Sequence, residues 1–155
     1  MARKKNIKKW QYIVFLIIIA FSFIIKLYSY YWPKTQIVIG SEKINVLLAD
    51  TLEHRYKGLG KRKDFGKYNG MLFVFDTEDR HAIVMRDMLF DIDIIWLDDL
   101  KIVDMAPNVK AQPNVSESLL DYYLPRIESD MVLELPAGFI GKYKLKIGDS
   151  IVIME

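Results

Sequence analysis

The chain has 155 residues and no cysteine, which excludes disulfides, thiolate metal sites, lipid attachment through Cys and a cysteine nucleophile. Its net charge of +2 hides a partition: seven of the 22 basic residues and none of the 20 acidic ones fall in residues 1–34, leaving the remainder at 15 against 20. That acidic remainder argues against nucleic-acid binding, which rests on neutralising phosphates with Lys and Arg, and its roughly 120 residues suffice for one hydrophobic core.

Arg3, Lys4, Lys5, Lys8 and Lys9 lead into an apolar run from Trp10 to Ile25. A helix from Trp10 to Trp32, rising ~1.5 Å per residue, reaches roughly 34 Å, enough to cross a hydrocarbon core of about 30 Å. Lipid offers no partner to a backbone amide, so such a run is stable there only as a helix. Lys26 stands near the far end, where its stem lets the ammonium reach the headgroups. Trp10 and Tyr12 at one boundary, with Tyr28, Tyr30, Tyr31 and Trp32 at the other, suit the two interfaces. The excess of positive charge before the run predicts a cytoplasmic amino terminus and an extracytoplasmic domain beyond Pro33. A cleaved secretory signal has the same outline, but its best cleavage point, Ala20-Phe21-Ser22, lies inside the apolar run and not at its polar end. The expectation is an uncleaved single-pass anchor in the cell membrane, with residues 10–32 in the bilayer. The organisation is then 1–34, basic start and anchor, and 35–155, outer domain.

In the outer domain, Gln36 to Ile39 and Ile44 to Ala49 read as two strands joined at Gly40-Ser41. Asp50-Thr51-Leu52-Glu53 has the acceptor and the Glu of a capping box, and Leu52, Tyr56 and Leu59 follow at helical spacing until Gly58 and Gly60 close the helix. Met71 to Phe75 reads as a buried strand. Asp76 to Arg80 read as a turn, His81 to Met85 as a return strand, and Ile92 to Leu97 with Lys101 to Met105 as a hairpin across Asp98-Asp99. Ala106 to Asp130, with three prolines, reads as a long loop with a helical turn near Leu119. Met131 to Leu135 is a strand, Pro136-Ala137-Gly138 opens a short helix to about Lys144, and Ser150 to Ile153 is the last strand. Many short strands with two minor helices predict an α+β, mainly β domain: a small, mostly antiparallel, barrel-like sheet.

These segments resemble the family called domain of unknown function 192. The matching stretches are Leu48-Ala49-Asp50-Thr51, Arg55 with Gly58-Leu59 and Arg62, Gly70 to Phe75, Met85-Arg86-Asp87, Asp93 to Asp98, Val132 to Gly138 and Ile147-Gly148-Asp149, in order over about residues 43 to 152. The resemblance implies a compact, mainly β domain, commonly behind a signal or anchor segment. It fixes fold better than function. Where the family usually has an aromatic-Met-Lys-Asn-Thr stretch leading to Ile-Pro, this chain has Val84-Met85-Arg86-Asp87-Met88 leading to Phe90-Asp91, so a family ligand at those positions would meet different chemistry here.

Arg86, Asp87, Asp91 and Asp93 form the most suggestive cluster, since a cation among carboxylates in a partly desolvated cleft binds polar ligands by charge-assisted hydrogen bonds. The competing structural reading is a salt-bridged sheet rim. Arg55 and Arg62 flank a glycine-containing helix end, where a guanidinium meets either an anion or a nearby acid. His54 and His81 lack a spaced carboxylate set, and Gly138 to Tyr143 lacks the full phosphate-loop spacing, so neither a metal nor a cofactor is expected.

The leading expectation is a non-catalytic module that binds a small ligand or an envelope protein through Arg86, Asp87, Asp93, Arg55 and Arg62. Two other classes compete with it. One is an envelope enzyme using Asp87 or Asp93 as acid or base on a substrate oriented by Arg86; the other is a structural or assembly protein with an exposed apolar patch.

Overall fold

The structure, a computed structural model, describes residues 8–29 and 31–154, with the side chains of Tyr28 and Ser29 left out. Arg3, Lys4, Lys5 and Tyr30, with the ring of Tyr28, therefore lie outside the described residues. The chain divides into two units, residues 1–32 and 33–155.

The first unit is one helix, α1 (Lys9–Ser29). Its stretch Lys9–Leu27 is long and apolar enough to cross a membrane, and none of it is buried by protein. A helix apolar all round over this length has the composition of a membrane-spanning segment.

The second unit is a mainly β domain. β1 (Lys34–Ile39), β2 (Glu42–Ala49), β3 (Gly70–Asp79), β5 (Ile92–Asp98), β6 (Lys101–Val109), β8 (Ser129–Pro136) and β9 (Ile151–Met154) make a seven-stranded sheet in the order β6-β5-β8-β3-β2-β1-β9. Every pairing is antiparallel except β2 with β3, which is parallel because the chain crosses over through α2 (Leu52–Lys57). The two edge regions approach each other where Ile102 N–H donates to Asp149 O at 2.8 Å and Ile151 N–H to Leu100 O at 2.8 Å. The sheet thus curls into a partly closed barrel, as the pattern of short strands predicts.

Inside the curl lies the main core, with Ile37, Ile39, Leu72, Ile95, Leu133 and Leu135 at its centre. Successive residues of a strand point to opposite faces, and β5 and β8 are buried on both. The outer face of the β3-β8-β5 region carries Met71, Phe73, Val132, Ile94 and Trp96, which the register sets side by side. Segment 81–88 and the end of α2 cover that face: the Trp96 indole N–H donates to His81 O at 2.9 Å, and Gly58 lies against the Phe73 ring.

Four expectations change on inspection. His81 to Met85 does not return along β3; only β4 (Ile83–Val84) is a strand, and it pairs with β7 (Tyr122–Tyr123) in a separate two-stranded sheet. β3 runs on to Asp79, so Asp76 to Asp79 are strand and not turn. The helix start is capped by Thr51, whose hydroxyl accepts from His54 N at 3.2 Å, one residue later than the capping box requires. Leu52 and Tyr56 are exposed while Leu59, past the helix, is buried, because a helix of six residues is too short to turn one apolar stripe onto the sheet. The predicted helical turn near Leu119 is a 3₁₀ turn, Glu117–Leu119, and the short helix after Pro136 is α3 (Phe139–Tyr143).

Candidate functional site

Within β8 the run Met131-Val132-Leu133-Glu134-Leu135 sets one carboxylic acid among apolar neighbours. Odd-numbered residues face the inner core, so Glu134 faces outward between Met71 of β3 and Ile94 of β5, its register neighbours. Gly70 makes this packing possible: a Cβ there would stand 2.5 Å from Glu134 O.

Above Glu134 the chain leaves a cleft of about 180 Å³, lined by Arg55, Tyr56, Gly58, Phe73, Arg86 and Met88 among others. Its walls are α2 with the glycine turn that ends it, and segment 82–88. The two are pressed together where Lys61 N–H donates to Asp87 O at 2.9 Å. Gly60 fits there because a side chain would stand 2.9 Å from Arg86 O.

Glu134 is only 5% exposed. Among the described residues, its Oε2 has no hydrogen-bond partner, and burial pushes its carboxyl up to about 8. A buried acid left in this condition is protonated at neutral pH and poorly satisfied, a cost that natural cores rarely carry without a use.

The arginines on the walls are already engaged. Arg55 gives Nη1 to Asp50 O at 3.0 Å and to Val74 O at 2.7 Å, fastening α2 to the middle of β3. Arg86 makes a two-pronged pair with Glu117, lies 4.4 Å from the Tyr56 ring centroid and gives Nη1 to Tyr56 O at 3.3 Å. The hydrogen bonds with Glu117 raise the Arg86 pKa above the guanidinium norm and lower that of Glu117.

The other expected site residues disperse. Asp87, in the left-handed region at φ 54°, faces Lys61 at 3.4 Å in an adjoining, more open cavity of about 460 Å³ that it shares with Arg86. Asp91 pairs with Lys110 at 2.6 Å, which holds its carboxyl below the usual range. Asp93 is fully buried, and its carboxylate accepts from Asn108 N at 2.7 Å, Gly138 N at 3.1 Å and Ile140 N at 2.8 Å. Arg62, partly buried, does not line the cleft, and burial lowers its pKa. Arg55 and Arg86 thus share the cleft, Asp87 borders it, and Asp93 and Arg62 serve elsewhere. Glu134 is absent from the expected site residues and falls only within the family-matching stretch Val132 to Gly138. The signal that could have singled it out is a lone carboxylate at the centre of a run whose every neighbour is apolar.

A wider groove of about 620 Å³ lies beside Lys34, Gln36, Asn45 and Lys67, but its walls are exposed or half-exposed side chains with no buried charge among them. Size alone does not make it the better site.

The DUF192 family profile, described as "Uncharacterized ACR", matches residues 35–153. The chain belongs to the DUF192 family. A UPF0127 protein of Thermococcus kodakarensis is 33% identical over 109 residues, 68% of this chain and 62% of that one. A UPF0127 protein of Thermococcus gammatolerans is 32% identical over 110 residues, 69% of this chain and 65% of its own length. The chain therefore spans somewhat under two thirds of these curated relatives. Among solved structures, a Sinorhizobium meliloti protein described as a candidate transcription regulator superposes with a TM-score of 0.66 at 25% identity, over 80% of this chain and 95% of its own. A Novosphingobium aromaticivorans protein of unknown function gives a TM-score of 0.63 at 24% identity, over 78% and 84%; at that identity it speaks for the fold alone. The DUF192 match covers the β domain and leaves α1 outside it.

Proposed function

We propose that this DUF192 chain is a single-pass, membrane-anchored extracytoplasmic module that binds a small ligand, without chemistry, in the cleft above Glu134. One observation carries the binding reading: an acid with an unpartnered oxygen sits at the floor of a cleft open to solvent. A bound ligand would complete it, as a hydrogen-bonded partner relieves the cost of a buried polar group. The anchor reading rests on the length and apolarity of α1 and on the basic residues before it. Acid or base duty at Asp93 finds no support, since three backbone amides occupy its carboxylate.

Native mass spectrometry of the full chain, purified gently from its own membranes, tests the binding half. A reproducible bound mass at one per chain, absent from Glu134→Gln, is expected; a mass retained by that variant, or none in the wild type, refutes the cleft. Membrane fractionation tests the anchor. Retention through alkaline carbonate washing is expected, with loss of the outer domain to protease added to wall-stripped cells, whereas recovery in the cytosol would refute it.

A further inference from the structure

The state of the groups around the cleft indicates what it lacks. Arg55 is held by two backbone carbonyls and stands 3.7 Å from Asp76, and Arg86 is neutralised by Glu117. Lys57 and Tyr56 complete the titratable lining from α2. On the sheet side, the register neighbours Met71 and Ile94 offer Glu134 neither donor nor charge. Among the lining side chains of the described residues, Oε2 of Glu134 is buried without a hydrogen-bond partner, and it becomes purely an acceptor once the carboxyl ionises. Phe73 shares the lining, and an aromatic face attracts a cation that has left water. At ~30 Å³ per water the volume equals roughly six waters, so the site admits only a few non-hydrogen atoms.

Resting on the reading of this cleft as a binding site, we infer that its ligand is a small organic amine, or the amine-bearing end of a larger molecule, seated ammonium-first with an N–H donated to Oε2 of Glu134. The charge balance is simple. The empty cleft holds a protonated acid at neutral pH; the ammonium favours the carboxylate, the acid O–H bond breaks, and its proton leaves to solvent. The ligand keeps its own proton throughout. An anion would do the opposite: it would accept from the protonated acid and bind more weakly as the acid ionises.

The sign of the pH dependence therefore decides the class. Ethanolamine and acetate serve as probes in isothermal titration of the full chain in phosphatidylcholine nanodiscs, with buffers of different ionisation enthalpy. Ethanolamine affinity is expected to rise about tenfold per pH unit between pH 6 and 7.5, with about one proton released per molecule bound. Glu134→Gln should lose at least about tenfold in affinity at pH 7.5 and flatten the profile, with its melting transition retained. The wild-type profile carries the test even without the variant. Acetate binding that weakens as pH rises, or no binding of either probe, overturns the amine assignment. Neither result touches the cleft itself, which falls if the natural bound mass survives Glu134→Gln or is missing from the wild type.

Discussion

Two buried carboxyls stand at adjacent register positions on the β5-β8 strand pair and meet opposite fates. Asp93, opposite Leu135, is wrapped by three backbone N–H groups from β6 and the α3 start. Glu134, opposite Ile94, points to the other face and is left with an unpartnered oxygen. Burial is nearly the same, so burial does not separate a brace from a site. Counting the partners does, because a satisfied carboxylate joins elements while an orphaned one costs stability.

The sharpest way to break this contrast is to remove each group in turn. Asp93→Ala leaves three amides without their acceptor, the Ile140 N–H buried and those of Asn108 and Gly138 only partly so, for a loss of roughly 3–5 kcal/mol at about 1–3 kcal/mol per buried group. That is a large part of the stability of a typical domain. Urea unfolding of the full chain in detergent should show the transition lost or moved far toward water; a midpoint near that of the wild type would mean the amides find other partners.

Glu134 should respond with the opposite sign. Its pKa is raised by burial from 4.5 to about 8, so the folded state holds a proton that the unfolded chain releases between those values. The stability is fully present below about pH 4.5 and falls as pH rises to about 8, by roughly 3–5 kcal/mol. Glu134→Gln, which cannot ionise, should lack this slope and be more stable than the wild type at pH 8. Parallel unfolding free energies for the two proteins from pH 5 to pH 8 would show that Glu134 is not buried as an acid.

The same contrast explains what could be read without coordinates. Strand identities were legible because β-branched runs such as Ile92 to Leu97 carry their own signal, and Asp98-Asp99 marks the hairpin. The turn forms with Asp99 and Leu100 both at positive φ, as a tight hairpin requires. The parallel β2-β3 pair and the small β4-β7 sheet were not legible, since long-range pairing leaves no local pattern. For the site, Arg55 and Arg86, picked out by their association with glycine turns and carboxylates, line one cleft. Proximity in sequence misplaced Asp93: Arg86 lies in the segment over the outer face of the sheet, whereas Asp93 sits in β5 beside the inward-facing Leu135, so Arg86 to Asp93 do not form one cluster. Glu134 lay 48 positions from Arg86, and only the fold brings them to one cavity.

Asp104 offers an intermediate case that sharpens the comparison. It is as buried as Glu134, at 5% exposure, yet it accepts from Arg126 N at 2.7 Å and from Arg126 Nη2 at 2.5 Å, and from Met105 N at 2.9 Å. The Arg126 side-chain hydrogen bond is the main reason its pKa falls from 3.8 to about 2. A lowered pKa stabilises the fold above about pH 4, and that contribution is lost as pH drops through about 2, the reverse of Glu134. Because Arg126 is largely exposed, water screens the pair, and Asp104→Asn should cost only about 1–2 kcal/mol at pH 7. Its effect should vanish in unfolding measurements near pH 2, where the wild-type carboxyl is itself becoming protonated. A cost that stays constant from pH 7 to pH 2 would assign the stabilisation to the neutral hydrogen bonds, and Asp104 would then join Asp93 as a brace whose charge is incidental.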